Sequence, residues 1–304
     1  MQRRLAVIHI ESISQLMRSM GQPAPLHPLI ALVDYSKADA EMLEKGQMIS
    51  LEFYKISFKN KFKGQVKYGQ GYYDFEEGGL AFLGPRQVVI ATEDMNSYEG
   101  FALFFHPDFI RDYPLGRSIH QYGFFSYEVS EALFLSAKEK EIIEGLFRTI
   151  GIELQNNIDA FSQNVLVSQI ELLLSYSDRF YNRQFLTRKA VNHQIIIAFD
   201  RLLKEYFDKD DGLQKGLPSV QFISASLKLS QHYLSDMLRS LTGFNTQQYI
   251  QNAVIEKAKE KLATTNLSIS EIAYELGFGH SQSFSKLFKN KTTQSPSAFR
   301  AGLK

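Results

Sequence analysis

The 304-residue chain has no cysteine, which excludes disulfides, thiolate zinc centres and cysteine nucleophiles. It also lacks any apolar run near the ~18 residues of a membrane helix, so no membrane partner is expected. The opening stretch, MQRRLAVIHIESISQL, is basic and then apolar, but His9, Glu11 and Ser12 interrupt it and no small-residue cleavage site follows. It reads as an ordinary leading segment and not as a secretory signal. A reducing, cytoplasmic setting is the simplest expectation.

Catalytic signatures are equally scarce. The seven histidines, at 9, 27, 106, 120, 193, 232 and 280, include no His-x-His pair, and none in the strand-like runs has an acidic neighbour at ligand spacing. A Gly-x-Ser-x-Gly elbow and a phosphate-cradling Gly-x-x-x-x-Gly-Lys loop are missing too. No cofactor or metal is expected, and the chain is not expected to be an enzyme. Two other function classes stay as alternatives: a metal-dependent cupin-type enzyme and a helical protein-interaction module.

What is present fits a folded protein of about two domains, with 44% hydrophobic and 22% charged residues. The net charge of +1 hides an asymmetry. From Gly212 onward there are 11 Lys and Arg against 5 Asp and Glu, whereas the rest carries 23 against 28. A basic module on an acidic body suits a polyanionic partner, although a solvated surface would look the same.

Three regions separate by pattern. Residues 1–125 hold short runs rich in β-branched and aromatic residues, "LIALVDY" (29–35), "ISLEFYKISF" (49–58), "QVKYGQGYYDF" (65–75), "LAFLG" (80–84), "QVVIAT" (87–92) and "GFALFF" (100–105), which predict an antiparallel sandwich or barrel. Residues 126–190 are helical. Ser136 and Glu139 have capping-box spacing, with Ile142, Ile143, Leu146 and Ile150 on one side of the following helix. A second helix over 161–182 carries Leu166, Ile170, Leu173 and Leu174. The pair makes an intrachain hairpin or a dimer interface. Residues 191–304 are helical throughout, apart from "DKDDGLQKGLPS", which reads as a linker or loop. The fold class is α+β.

The last region repeats itself. Ile269, Ile272, Ala273 and Leu276 form an i, i+3, i+4, i+7 stripe, and Val220, Ile223, Ser224 and Leu227 have the same spacing forty-nine residues earlier. Beyond the turns, Phe284, Leu287 and Phe288 match Leu234, Met237 and Leu238 at an offset of fifty. Two helix-turn-helix units are therefore built on one plan. The helix between them, about nineteen residues and ~28 Å long, is of the right order to set both units against successive turns of a major groove ~34 Å apart. Side chains that read base edges need hydrogen-bonding ends on short or flexible stems. Gln282, Ser285 and Lys286 qualify in the second unit, and His232, Ser235 and Asp236 in the first. Arg239, Lys289 and Lys291 suit phosphate contacts.

At these residues the chain resembles the AraC/XylS family of bacterial transcription regulators. The resemblance is carried by "SISEIAYELGFGHSQSFSKLFKNKTTQSPSAFR" (268–300), by "LKLSQHYLSDMLRSLTGFNTQQYI" (227–250) and by "IEKAKEKL" (255–262), and covers about the last 105 residues. It implies base-reading roles for Gln231, His232, Ser235 and Asp236, and for Ser281, Gln282, Ser285 and Lys286. It further implies duplex DNA as partner and a homodimer built through residues 136–182, with RNA polymerase a further candidate partner. "YYDFEEGGLAFLGPRQVV" (72–89) and "FFHPDFI" (104–110) resemble the family's cupin-like barrel, which implies a small-molecule effector; Tyr54, Tyr73 and Arg86 are candidates to line its site. Two positions depart from the family pattern: Val254 stands where arginine is common, and Thr293 where glycine is usual. A β-branched residue is uncomfortable in a left-handed backbone.

Overall fold

The strand-like runs do become strands. The structure, a computed structural model, describes residues 7–37, 48–61, 65–68, 71–74, 78–90, 99–128, 131–156, 161–209 and 211–303, of which 61, 65–68, 71–74, 89, 90, 189, 190 and 211 are described by backbone alone. The chain divides into two compact units, Met1–Gln184 and Phe185–Lys304.

In the first unit the strands are β1 (Ile8–Ile10), β2 (Ile30–Asp34), β3 (Met48–Leu51), β4 (Tyr54–Lys61), β5 (Gln65–Tyr68), β6 (Gly71–Asp74), β7 (Gly79–Leu83), β8 (Val88–Ile90), β9 (Glu99–Phe105) and β10 (Leu133–Phe134). The helices are α1 (Ile13–Ser19), α2 (Pro107–Ile110), α3 (Pro114–Ser118), α4 (Ala137–Gln155) and α5 (Ser162–Thr187), the last of which crosses the boundary. Five strands form an antiparallel sheet in the order β10-β7-β4-β9-β2, three form a smaller sheet in the order β1-β3-β8, and β5 and β6 form a hairpin. The expected barrel is corrected by this arrangement. Among the described residues the sheets do not close, and closure would need a long pairing between the edges β2 and β10, of which β10 has only two residues. The pairing of β1 with β3 is parallel, unlike the purely antiparallel arrangement expected.

Register explains why the main sheet stays open yet well buried. Successive side chains point to opposite faces. One face of the five-stranded sheet carries Ile30 and Leu32, Tyr54, Ile56 and Phe58, Leu80 and Phe82, and Phe101, Leu103 and Phe105. Helices cover it: Phe147 of α4 stacks on Phe58 and Phe101, with ring centroids 5.8 and 5.9 Å apart. Tyr181 of α5 lies 6.2 Å from Phe82. Arg183 forks onto Glu139 at 2.6 and 3.0 Å and donates to the Phe134 carbonyl at 2.7 Å, tying α5 to β10. The other face meets α1 and the small sheet in a core containing Ile13, Leu16, Val33, Ile49, Phe53 and Phe104.

The capping box of α4 forms as the spacing predicts, since Ser136 Oγ accepts from the Glu139 N–H while Glu139 accepts from that of Ser136. The buried stripe of α4 is turned slightly from the expected one. It comprises Ile143, Phe147, Ile150 and Leu154, and Ile142 is left exposed. Phe147 has more area to bury than Ile142 and sets the orientation.

The second unit contains α6 (Lys189–Asp208), α7 (Asp211–Lys215), α8 (Val220–Leu227), α9 (Gln231–Thr242), α10 (Thr246–Thr264), α11 (Ile269–Glu275), α12 (Ser281–Thr292) and α13 (Pro296–Ala301). The charged, glycine-bearing stretch read as a linker or loop holds the short helix α7, followed by a loop at 216–219, and is a packed part of this unit. A Cβ on Gly212 would lie 2.5 Å from the Glu275 carbonyl oxygen, and one on Gly277 only 2.4 Å from Gly216. Glycine is needed here because two backbones approach too closely for any side chain.

Candidate nucleic-acid interface

The two units predicted from the repeat are present, α8 with α9 and α11 with α12. Both second helices have twelve residues. Tyr233, Leu234, Met237 and Leu238 bury one side of α9, and Phe284 and Phe288 bury the same side of α12. Phe284 and Phe288 continue an aromatic chain from Phe278 to Phe299, with centroids 5.4 to 5.7 Å apart. Such packing leaves little freedom in how each helix presents its remaining face.

That face holds the residues expected from sequence. At an offset of fifty, His232 corresponds to Gln282, Ser235 to Ser285, Asp236 to Lys286 and Arg239 to Lys289. His232, Arg239, Gln282, Lys286 and Lys289 are exposed, and the serines and Asp236 are half-buried. Gln231 and Ser281 open their helices at the first position. The charges differ between the units. Asp236 accepts a hydrogen bond from Arg239 at 3.0 Å, so this pair is close to neutral. Lys286 and Lys289 have no hydrogen-bond or ion-pair partner among the described residues. Lys291, a phosphate candidate by type, donates instead to Asn252 of α10 at 2.9 Å.

Backbone conformation follows the same repeat. Lys228 and Gly277 occupy equivalent left-handed positions after the first helices, at φ of 56° and 95°; Gly243 and Thr293 occupy equivalent ones after the second helices, at 79° and 66°. The discomfort expected at Thr293 is therefore real.

The frame between the units is α10, nineteen residues long, with Ile250, Val254, Ala258 and Leu262 buried along one stripe. Several ties to it were not read from sequence. Tyr249 donates to Asp200 of α6 at 2.9 Å, and burial together with that carboxylate pushes its hydroxyl up to about 12. Lys261 pairs with Glu275 at 2.6 Å. Arg300 of α13 donates to the carbonyls of Leu262 and Leu267 at 3.2 and 2.6 Å, holding the end of α10 and the loop after it. These pairs lie 14 to 49 residues apart, outside any helical period, so no local signal marks them.

The candidate effector residues fare differently. Tyr54 lies on the helix-covered face, with its ring 5.0 Å from Phe105 and 4.9 Å from Phe125, and burial raises its hydroxyl's affinity for the proton. Arg86 is exposed and donates to Glu52 at 2.8 Å. The Tyr73 side chain lies outside the described residues. A cavity of about 520 Å³ opens beside β2, between the 22–26 loop and the end of α4, and neither Tyr54 nor Arg86 lines it. Among the described residues no group of three or more His, Asp or Glu is placed to hold a metal ion, and no helix is long and apolar enough to cross a membrane.

Comparison with known proteins bears on the second unit. A family model described as a helix-turn-helix domain matches residues 223–302. YfiF, a helix-turn-helix-type transcriptional regulator of Bacillus subtilis, is 27% identical over 185 residues, which is 57% of this chain and 55% of that protein. The Msm operon regulatory protein of Streptococcus mutans is 38% identical over 81 residues, 27% of this chain and 29% of that protein. The chain thus spans about half the length of the first relative and under a third of the second. The solved C-terminal domain of the two-component response regulator yesN from Fusobacterium nucleatum is 30% identical, with 33% of this chain and 95% of that one covered and a TM-score of 0.29.

Proposed function

The C-terminal domain of this chain belongs to the AraC/XylS family of helix-turn-helix regulators, and on that premise we propose that the whole chain is a sequence-specific, DNA-binding transcription regulator. The observation that carries the proposal is the pair of matched exposed faces, on α9 and α12, built on one buried plan and joined by a ~28 Å helix. A helix of ordinary width enters the major groove, where each base pair shows its own donors and acceptors. In this reading Gln231, His232, Ser235, Asp236, Ser281, Gln282, Ser285 and Lys286 face the bases. Arg239 and Lys289 hold phosphates. In that role the protein works in the cytoplasm, beside the chromosome and RNA polymerase.

The same reading gives the first unit a sensory role and makes the active species a homodimer. Support for the dimer comes from α5, where Val165 and Leu172 are exposed beside Gln169, whose buried side-chain oxygen has no hydrogen-bond partner among the described residues. A second copy would cover that apolar stripe and offer a donor. Selection of binding sites from random duplexes with the purified chain tests both parts. Recovery of one motif with contacts in successive major grooves, present twice per site, is the expected outcome; recovery of random sequence overturns the proposal.

A further inference from the structure

The turn inside the second helix-turn-helix unit is gripped from two sides. On one side the connecting helix holds it, since Lys261 of α10 pairs with Glu275 at the end of α11. On the other side lie α7 and the loop after it. A Cβ on Gly212 would meet the Glu275 carbonyl, and the Gly216 backbone fills the space where a Cβ of Gly277 would sit. Gly277 leads through Phe278 and Gly279 into His280, the N-cap of the reading helix α12, so whatever fixes this turn also fixes where α12 begins. The equivalent residue of the first unit, Lys228, is exposed.

The residue that meets Gly216 from α6 is Tyr206. Its hydroxyl donates to the Gly216 carbonyl at 2.8 Å, and its ring lies 5.5 Å from that of Phe222 on α8, the first helix of the first unit. Tyr206 is buried, a setting in which a hydrogen bond is electrostatically stronger than in water. The helix that carries it is fastened to α10 as well, through Asp200 with Tyr249 at 2.9 Å and Asp208 with Lys257 at 3.5 Å. One side chain therefore touches the first unit with its ring and, with its hydroxyl, the loop that packs on the turn of the second.

Two binding modules on one chain reinforce each other only when their connection holds them at the span of their sites, and affinity rises when the bound arrangement is fixed beforehand. A junction that gives way accepts several spacings weakly, whereas a firm one accepts a single spacing well. We propose that Tyr206 is a positioning residue, which keeps the second unit in step with the first and so sets the spacing of base contacts that the chain accepts along a duplex. The spacing role rests on the DNA-binding reading above; the tie between the units does not.

Tyr206→Phe keeps the ring and removes the hydroxyl, so it cuts the link to Gly216 and spares the one to Phe222. The tie is tested without DNA in the full chain carrying Ala225→Cys on α8 and Ser270→Cys on α11, both exposed positions in a chain with no cysteine of its own. Spin labels at that pair should give a narrow distance distribution with Tyr206 and a broader one with Tyr206→Phe. The spacing role is tested on the duplex recovered by the selection described above, against versions with one base pair added or removed between its two contacted segments. With Tyr206 the altered duplexes should bind clearly less well than the original. Tyr206→Phe should bind the original duplex roughly three- to tenfold more weakly, the scale of one net hydrogen bond. Its penalty for altered spacing should shrink, and its affinity for a duplex holding only one segment should stay unchanged. An unbroadened distance distribution overturns the proposal, as does a spacing preference that survives the substitution, or an equal loss on the one-segment duplex. Broadening in a chain that selects no duplex counts against the regulator and not against the tie.

Discussion

The two helix-turn-helix units are copies in plan and opposites in detail. Where the first has Lys228 the second has Gly277, and where the first has Gly243 the second has Thr293, all in left-handed backbone. Each unit therefore has one glycine and one strained residue. Only Gly277 has a neighbour that demands glycine, since its missing Cβ makes room for Gly216, whereas a Cβ on Gly243 would meet nothing within 4 Å. The outward faces diverge in charge as well, with Asp236 standing where the second unit has Lys286. A repeat preserves what packing requires and leaves the exposed face free to specialise.

Substitutions can break or sharpen this contrast. The largest effect is expected from Gly277→Ala, which adds both strain and a backbone clash and should cost about 3 kcal/mol or more of stability. Gly243→Ala adds only conformational strain and should cost about 1 kcal/mol. Urea unfolding of both variants measures the difference, and equal losses would mean that the approach of Gly216 does not constrain the turn. Next in size, Gln282→Ala should lose ~1–3 kcal/mol of binding at one base position, with other positions unaffected. A panel of singly substituted duplexes reads this directly.

Charge contrasts should be smaller and salt-dependent. Lys289→Ala should lower the slope of log affinity against log salt by about 1. Arg239→Ala should change it less, because Asp236 already balances that charge, and Asp236→Ala should steepen it. An Arg239→Ala effect as large as that of Lys289→Ala would show that the ion pair opens on DNA. The smallest expected change is a gain: Thr293→Gly relieves a left-handed β-branched residue and should stabilise the chain by about 0.5–1 kcal/mol, once the added freedom of the unfolded glycine is set against it. A thermal melt compared with that of Lys228→Gly tests whether the strain is equal in the two copies.

Much of the second unit was legible because its signals are local. Stripes at i, i+3, i+4 and i+7 state which side of a helix is buried, and Ile223, Ile272, Phe284 and Phe288 lie in the core as those stripes require. The same logic placed Gln282, Lys286 and Lys289 outside. Around Gly212 and Gly216 the sequence showed a linker or loop but not its packing, because glycine in a polar run signals a flexible linker and a tight packing contact equally well. In the first unit the strands were legible from their composition, but their closure was not. Alternation along β4 sends Tyr54 to the helix-covered face, whereas Lys55, Ser57 and Lys59 point the other way, and no local pattern states which of the two faces the helices cover.

By itself, then, the sequence determined the elements, the duplicated plan of the second unit and the side of each helix that meets solvent, since periodicity and capping act over a few residues. Only the tertiary structure decided that the main sheet stays open and that α7 braces the turn at Gly277. Each of those depends on segments distant in sequence coming within a few ångströms, and no local pattern encodes such an approach.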